Sequence, residues 1–383
     1  MKLRNKLLLL KAFITKRVPV YVQYAVTKKC NLNCAICNSN LSRDDETDLP
    51  LSEIKRLAII LKNIQVSNLV LTGGEPFIRK DIIEIAKIFK TSGLEVRFQT
   101  NGFLLTPELI IDLYKLGTNG ITISLESLNP EIQDRLTNFK NSHEKIFKAL
   151  SLMTQYSYQT KNISAINTVV SKLNIKELPT LAKFATGMGL FISFIPLHST
   201  RSNSHFIIRK NNEELEFSEK DFGAIDKVYT ELIRMKKKGY LIYNSSRFLR
   251  ETPDYLKYKK IHWKCDSPYL YFAISPSGNF LPCVDLNSGI NILDKAFMQN
   301  YSCGRIQTQI KKMVNGCEGC MYACWPEFTY LMRDWHTLIE QAKQLGLSLI
   351  RMPKPFTDQE IKLLVAKLGN ETRRIEKKSD AQT

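Results

Sequence analysis

The first half of the chain alternates short apolar runs with longer segments in which apolar residues recur at helical spacing. Six runs rich in β-branched and aromatic residues predict strands at 18–26, 68–72, 95–100, 120–125, 163–170 and 190–196. The segments between them predict helices near 52–64, 79–92, 107–116, 130–156 and 176–188. Strands and helices in this order form a parallel sheet covered by crossover helices, with its chemistry at the carboxyl ends of the strands.

The pattern changes after residue 197. Residues 198–217 are polar and irregular, which indicates a linker or surface loop, and a helix is expected near 218–239. The region 262–325 contains six of the nine cysteines. The last segment predicts a helix that runs into a charged tail, and we expect that tail to be disordered.

Three cysteines, Cys30, Cys34 and Cys37, lie in the segment KKCNLNCAIC directly after the first predicted strand. The sequence shows no secretion signal, so a cytoplasmic setting is expected, in which cysteines bind metal or react rather than form disulfides. A structural zinc site needs four ligands, and the first histidine is as far away as His143. Three thiolates instead suit a [4Fe–4S] cluster with one iron open to a small ligand.

This cysteine spacing resembles the signature of the radical S-adenosylmethionine (radical SAM) superfamily, and three later segments agree with it. They are LTGGEP with Gly73, Gly74, Glu75 and Pro76 after the second predicted strand, QTNG with Asn101 at the end of the third, and ISLES with Ser124 and Glu126 at the end of the fourth. The resemblance covers roughly residues 18–197. One departure is Ile36, where the family usually has an aromatic residue, and we expect it to change packing around the cluster or adenine but not the chemistry.

The resemblance implies an α/β fold with a partial (β/α)6 TIM-like barrel, followed by a smaller cysteine-rich C-terminal domain. It implies that the GGEP segment holds the amino group of SAM, that Asn101, Ser124 and Glu126 bind other parts of SAM, and that Arg135 approaches its carboxylate. The cluster would cleave SAM to methionine and a 5′-deoxyadenosyl radical, which abstracts hydrogen from the substrate. The barrel would hold SAM and substrate in contact and exclude water. The expected electron donor is a one-electron reductant such as ferredoxin or flavodoxin.

The second cysteine set resembles the SPASM and twitch extensions of the same superfamily. Twelve residues separate Cys265 from Gly278 and four separate Gly278 from Cys283, and SPSGNF supplies a hairpin turn between strand-like runs. Cys317, Cys320 and Cys324 follow in NGCEGCMYAC. The resemblance implies one auxiliary [4Fe–4S] cluster on Cys265, Cys283, Cys317 and Cys320, with Cys324 as a substitute for Cys320 or Cys265. Two auxiliary clusters and a Zn(Cys)4 site are the alternatives.

The expected organisation has five parts. They are a basic amphipathic helix (1–17), a radical SAM core (18–197), a linker and helix (198–261), an auxiliary-cluster domain (262–350) and a helix with a charged tail (351–383). Cys303 is expected to be a buried free thiol, His198 and His205 to be surface residues, and Trp263, Trp325 and Trp335 to be core residues.

Charge points to an anionic substrate or partner. The formal net charge is +18, from 55 Lys and Arg against 37 Asp and Glu, although basic residues also simply solubilise exposed helices. In residues 1–17 the run Leu7–Leu10 lies among Lys and Arg, which suits a helix on the inner face of a membrane or one packed on the barrel bottom. This run is far shorter than the ~20 residues that span a bilayer. Sequence-specific nucleic acid binding is not expected.

The predicted function is a radical SAM enzyme acting on an unidentified peptide or protein, or on an anionic lipid, sugar or nucleotide metabolite. A molybdopterin-precursor cyclase is disfavoured by the cysteine spacing in CEGCMYAC and by the terminal SDAQT in place of Gly-Gly. A non-catalytic iron–sulfur or zinc module on the same scaffold is the alternative from another class. The intact GGEP segment, Ser124 and Glu126 argue against it.

Overall fold

The computed structural model describes residues 2–37, 47–160, 162–198, 213–350 and 354–380. Within these ranges, nine strands form one sheet in the order β6-β5-β4-β3-β2-β1-β7-β8-β9. The strands are β1 Tyr21–Ala25, β2 Asn68–Thr72, β3 Glu95–Thr100, β4 Ile121–Ser124, β5 Ala165–Val170, β6 Phe191–Pro196, β7 Tyr271–Ile274, β8 Asn279–Leu281 and β9 Ile290–Asn291.

Helices alternate with the first six strands and then dominate the C-terminal half. They are α1 Leu3–Thr15, α2 Leu51–Asn63, α3 Ile82–Thr91, α4 Pro107–Leu116, α5 Pro130–Thr137, α6 Ser142–Thr160, α7 Leu178–Gly187, α8 Phe222–Lys237, α9 Ser246–Tyr258, α10 Phe297–Ser302, α11 Arg305–Asn315, α12 Cys324–Arg333, α13 Trp335–Ile350 and α14 Asp358–Asp380. None of the helices in the described ranges is long and apolar enough to cross a membrane.

The predicted α/β core is confirmed. Strands β1 to β6 pair in parallel and in chain order. Side chains alternate between two faces of the sheet, and one face, with Val22, Leu69 and Val96, is fully buried in the main core. On the opposite face, called the inner face below, residues such as Gln99 and Thr122 are only partly buried. This arrangement is the partial barrel that the sequence predicted.

The cysteine-rich region joins the same sheet. β7 pairs in parallel with β1, from Tyr21 beside Tyr271 to Tyr24 beside Ile274, and β8 returns antiparallel to β7. The hairpin predicted at SPSGNF is therefore confirmed, and it extends the barrel sheet beyond the six expected strands. The domain boundaries drawn from the sequence stay predictions.

Two expected elements differ in the structure. The helix expected over 130–156 forms two helices, α5 and α6, because Asn138 and Asn141 adopt positive φ of 52° and 62°. The carboxylate of Asp134 then accepts the backbone N–H groups of Asn141 and Ser142 at 2.7 and 2.9 Å. α14 continues to Asp380, so the charged segment expected to be disordered is helical up to that residue.

α1 packs at the edge of the sheet where the parallel strands begin. The side-chain amide of Asn5 donates to the carbonyl of Gly93 at 3.1 Å and to the carboxylate of Glu95 at 3.0 Å. Asn5 and Ala12, on the side of the helix that faces the protein, are both fully buried. The helix thus adopts the packed position, which was one of the two expected from its pattern.

Candidate cofactor site

The loop after β1 presents three thiols at the carboxyl edge of the sheet. Cys30, Cys34 and Cys37 are all partly exposed, and none of them forms a disulfide with a described cysteine. The N–H of Cys37 donates to the carbonyl of Cys34 at 3.1 Å, and the N–H of Ala35 donates to the carbonyl of Leu136 in α5 at 3.0 Å. Ile36, the residue that departs from the family pattern, is only 4% exposed and packs with Leu136. Its side chain therefore anchors the cysteine loop in the fold.

Gly73 and Gly74 allow the segment after β2 to lie directly against the start of this loop. The N–H of Gly74 donates to the carbonyl of Thr27, and that of Glu75 to the carbonyl of Lys29, both at 2.8 Å. A Cβ on Gly73 would lie 2.2 Å from the Thr27 oxygen, and one on Gly74 would lie 2.2 Å from the Lys29 oxygen. Only glycine fits at either position.

Glu75 buries a carboxylate beneath the cysteine loop. Its oxygens accept the hydroxyl of Thr100 at 2.7 Å and the backbone N–H groups of Asn101 at 2.8 Å and Phe77 at 3.2 Å. Burial raises the pKa of Glu75 to about 7, against these three hydrogen bonds, which lower it. Pro76 follows and begins a short 3-10 helix, Pro76–Ile78.

Asn101 connects this carboxylate to a cysteine. Its side-chain amide lies 3.8 Å from the sulfur of Cys30 and 2.8 Å from the side-chain oxygen of Asn31. Burial raises the pKa of Cys30, the N–H of Leu32 lowers it, the negative charges of Glu75 and Cys37 raise it further, and the amide of Asn101 lowers it. Groups at the end of β3 and in the GGEP segment therefore act directly on the thiol of Cys30.

The residues expected to hold the rest of SAM lie at neighbouring strand ends. Ser124 ends β4, is partly exposed and pairs with Asn167 of β5. Glu126 is 4% exposed, and its carboxylate accepts the N–H of Val169 at 2.6 Å. Arg135 lies apart from them: its guanidinium is exposed and pairs with Glu214 at 2.7 Å. Its approach to the SAM carboxylate stays a prediction.

These residues fit a [4Fe–4S] cluster held by three thiols. The three cysteines share one short loop at the open edge of the sheet, and amide donors such as that of Asn101 lie beside them. Within the described ranges, no three His, Cys, Asp or Glu side chains are close enough to hold one metal ion. A cubane spreads its ligands over separate irons, so its cysteines need not converge on one point.

Three cysteines of the second set lie near one another beside the hairpin of β7 and β8. Cys265 precedes β7 and Cys283 follows β8, and each is close enough to Cys320 to affect its pKa. Burial raises the pKa of Cys320, Cys283 and Cys265 alike. The Tyr271 hydroxyl donates to the sulfur of Cys265 at 3.5 Å, and the indole of Trp263 donates to the carbonyl of Cys320 at 2.8 Å.

The other members of the set are placed differently. Cys317 is exposed, and its sulfur accepts the N–H of Gly319 at 3.3 Å. Cys324 begins α12 beside Gln23 of β1, and burial raises its pKa to about 12. Cys303 is exposed at the end of α10, so the expectation of a buried thiol is wrong. Cys303 follows Ser302, the last residue of α10, and within this helix only Phe297 is buried.

The family model described as the Radical SAM superfamily matches residues 24–185 of the chain. That segment contains all three cysteines of the first loop and every strand-end residue described above. The chain contains a radical SAM domain. Members of this superfamily are enzymes that use SAM together with a [4Fe–4S] cluster.

Two curated relatives of the radical SAM domain illustrate its range. An AdoMet-dependent heme synthase of Methanosarcina barkeri is 30% identical over 172 residues, 45% of this chain and 48% of the relative. A probable GTP 3',8-cyclase of Methanocaldococcus jannaschii is 29% identical over 227 residues, 58% of this chain and 72% of the relative. The match to the heme synthase thus spans about half of that protein.

The fold also matches a solved structure over a longer stretch. Streptococcus suis SuiB bound to S-adenosylmethionine superposes with a TM-score of 0.56 at 16% identity, over 77% of this chain and 68% of that one. This likeness extends beyond the radical SAM domain into the C-terminal region and supports the fold alone.

His198 lies in an environment that the sequence did not predict. His198 is 4% exposed, its ring stacks on Tyr322 at 3.8 Å, and its Nδ1 lies 2.7 Å from the hydroxyl of Tyr255. The expectation of a surface residue is wrong for His198 because α9 and the segment between Cys320 and Cys324 close over the end of β6. His205 lies outside the described residues.

Of the three tryptophans expected in the core, Trp263 and Trp325 are buried, but Trp335 is 65% exposed and packs edge-on against Phe13 of α1.

Arg97, on the inner face of β3, was not among the site residues predicted from the sequence. A charged residue between the apolar Val96 and Phe98 was the signal available.

Proposed function

We propose that this protein is a radical SAM enzyme in which Cys30, Cys34 and Cys37 hold a [4Fe–4S] cluster and the adjoining strand ends hold SAM. The observation that carries the proposal is the link from the Cys30 sulfur through Asn101 to the buried carboxylate of Glu75. When bound, the cluster supplies the electron that cleaves SAM into methionine and a 5′-deoxyadenosyl radical. The chain binds and orients the reactants and keeps water away from them.

The roles of the chain's own residues follow from their placement. The GGEP segment lies against the cysteine loop, where it can bind the amino group of SAM, and the hydrogen bonds that the buried Glu75 accepts from Thr100, Phe77 and Asn101 hold this segment in place. Ser124 leaves a hydroxyl partly exposed at the same edge, where it can bind a polar group of SAM. A ferredoxin or flavodoxin remains the proposed electron donor, and the substrate is a peptide or an anionic metabolite.

The same proposal includes one auxiliary [4Fe–4S] cluster of the SPASM or twitch type. The grouping of Cys265, Cys283 and Cys320 supports it, and Cys317, in Cys-x-x-Cys spacing with Cys320, is the proposed fourth ligand. The sulfur of Cys265 lies beside Tyr271, the first residue of β7, whereas Cys30 follows the end of β1, so the two sites are separated along the β1–β7 pair. A substrate between them would be enclosed by the inner face.

Formation of 5′-deoxyadenosine tests the proposed function. Reconstituted protein with SAM and dithionite should produce it, and Cys30→Ala, Cys34→Ala and Cys37→Ala should each abolish production, because three thiolates are the minimum for this cluster. Cys303→Ala is the matched control, since that thiol is exposed and belongs to neither cysteine set. Near-normal production in any of the three loop variants would overturn the assignment of the cluster to this loop, and no production by the unaltered reconstituted chain would favour a non-catalytic module.

We also propose that α1 contacts a membrane, and the outer face of this helix supports the contact. Leu3, Leu7, Leu10 and Ile14 lie on one side of the helix and are 72, 56, 55 and 70% exposed, opposite the side that buries Asn5 and Ala12. Lys6 borders this apolar stripe on one side and Lys11 on the other.

The charges and a neighbouring aromatic residue indicate which surface covers the stripe. Residues 1–17 contain six basic residues and no acidic one. The exposed ring of Trp335 adjoins the stripe through Phe13, at 4.9 Å between ring centroids. Basic residues beside an apolar stripe with tryptophan are typical of helices that lie on anionic lipid. The proposed occupant is therefore an anionic membrane surface.

Sedimentation with vesicles tests this contact. The chain should bind vesicles containing phosphatidylserine but not pure phosphatidylcholine, and binding should weaken as salt shortens the screening length. Leu7→Glu with Leu10→Glu should abolish binding. Leu363→Glu, at a site 63% exposed on α14, should not. A dimer in solution that the first variant dissociates, without vesicle binding, would instead assign the stripe to a second copy of the chain.

A further inference from the structure

We propose that Arg97 binds an anionic group of the substrate, a carboxylate or a phosphate, on the inner face of the barrel. The inference rests on the proposed function, because it concerns the substrate of the same reaction. It adds a recognition residue on a strand, away from the motifs that hold SAM.

Arg97 lies on the inner face of β3, beside the start of β4. Phe98 of β3 pairs with Ile121 of β4, so Arg97 lies beside Gly120. Val96 and Phe98 face the buried side of the sheet, and Arg97 therefore faces the inner side, where it is partly exposed. Its Nη1 donates to the carbonyl of Ile163, before β5, at 3.3 Å.

Gly120 makes room for this side chain. A Cβ at Gly120 would lie 3.2 Å from the Arg97 Nη1 and 2.3 Å from the Ile163 oxygen, and the residue has φ of +141°. The guanidinium thus extends from β3 across the start of β4 to the start of β5. A long charged side chain laid over the inner face in this way is positioned for a ligand in the barrel.

The charge of Arg97 is not balanced by an ion pair among the described residues. Within the described ranges, no Asp or Glu side chain forms an ion pair with it. Glu95, two residues earlier on the strand, is instead bound by Asn5 and lies 3.6 Å from the ammonium of Lys90. A guanidinium carries five N–H donors and stays charged at all relevant pH, so one carbonyl leaves most of its capacity for an anion.

Two tyrosine side chains lie near Arg97. Burial raises the pKa of Tyr21 and of Tyr243, and the positive charge of Arg97 opposes the rise in both, so both phenols lie within its field. The amide of Gln23 donates to the hydroxyl of Tyr21 at 3.1 Å, which directs the phenolic hydrogen away from Gln23. Two hydroxyl donors beside a guanidinium suit carboxylate or phosphate oxygens.

The last step is the position relative to SAM. Arg97 lies level with Gly120, four residues before Ser124 on β4, which corresponds to about 13 Å along the strand. An anion at Arg97 would therefore bind a part of the substrate remote from the reacting carbon. Such contacts fix the substrate at the distance that hydrogen abstraction needs.

Chemical protection of Arg97 tests the inference on the full reconstituted chain. Phenylglyoxal modifies arginines, and peptide mass spectrometry follows each one separately. Inorganic pyrophosphate and succinate, each at about twice its Kd, should slow modification of Arg97 about threefold, whereas chloride at equal ionic strength should not. Arg234 is the control, because it is exposed on α8 and paired with Glu231 at 2.6 Å. Protection by one probe alone identifies the anion class.

Variants and SAM cleavage complete the test. Arg97→Gln should weaken binding of the protecting probe about tenfold or more, and Arg97→Lys should weaken it less because it keeps the charge. Equal modification of Arg97 with and without both probes overturns the anion site, and 5′-deoxyadenosine formation by the unaltered chain would show that the proposed function still stands. Protection without SAM cleavage supports the anion site and overturns the proposed function.

Discussion

The side-chain amide of Asn101 lies 3.8 Å from the sulfur of Cys30. The two residues are far apart in sequence and meet because β1 and β3 end at the same edge of the sheet. The backbone N–H of the same asparagine donates to Glu75, so one residue orients both the cysteine loop and the buried carboxylate.

The first prediction concerns the reduction potential of the cluster. An N–H donor beside a cysteine sulfur stabilises the reduced, more negative cluster. Asn101→Ala removes the donor and should lower the potential by about 40 mV if the contact contributes ~1 kcal/mol. Asn101→Asp, which keeps the size and adds negative charge, should lower it further. A redox titration followed by electron paramagnetic resonance checks this order, and an unchanged potential in both variants would contradict it.

The second prediction concerns the approach of the GGEP segment to the cysteine loop. Gly74→Ala would place a methyl 2.2 Å from the carbonyl oxygen of Lys29, so the segment leading to Cys30 must shift. We expect reduced iron and sulfide content and a lower melting temperature. Gly223→Ala in α8 is the matched control, because a Cβ there meets nothing within 4 Å and alanine favours the helix by up to ~1 kcal/mol. Equal iron loading of the two variants would contradict the prediction.

The third prediction concerns pH. Burial raises the pKa of Glu75 from 4.5 to about 7, so folding favours the protonated carboxyl. This stabilisation is complete below pH 4.5 and is lost as the pH rises through about 7. From pH 5 to 8 the metal-free chain should therefore lose roughly 2.5 kcal/mol of stability to urea relative to Glu75→Gln. Both proteins contain the other buried acids, such as Glu327, so the pH-dependent contributions of those acids to stability cancel in the comparison. A difference in stability that does not change with pH would show that Glu75 is already charged at pH 5.

The fourth prediction concerns the auxiliary site. With Cys30, Cys34 and Cys37 all changed to Ala, the chain should still bind about four irons with matching sulfide, as one cluster requires. About eight irons would favour two auxiliary clusters, and zinc without sulfide would favour the Zn(Cys)4 alternative. In this background Cys317→Ala should lower the iron content, while Cys324→Ala should not.

Local patterns predicted the barrel well, because alternating apolar strands and amphipathic helices carry their own signal. All six strands lie where the sequence placed them, and the hairpin turn at Gly278 joins β7 to β8 as expected. The break between α5 and α6 was missed, because it depends on Asp134 binding the backbone seven and eight residues further on. A helical pattern by itself does not report such a contact.

Residues whose environment depends on distant partners were the hardest to predict. His198 is buried by Tyr255 and Tyr322, which come from α9 and from the cysteine segment, and Arg97 meets Ile163 from another strand. Trp335 is a large aromatic residue of a type usually found in the core, but it is exposed and lies beside α1. Spacing in the sequence identified the cysteines and strand-end residues because their relation is local. It does not contain these long-range contacts.

The pairing of β7 with β1 also determines what the barrel core would be without its C-terminal region. β1 is an interior strand because β7 occupies its second side, along four register pairs from Tyr21 to Tyr24. A chain cut near residue 197 would expose a row of unpaired N–H and C=O groups on β1, flanked by the apolar Val22 and Tyr24. Such an edge pairs readily with other chains, so the isolated core should aggregate, and the cysteine-rich region also serves to keep the barrel soluble.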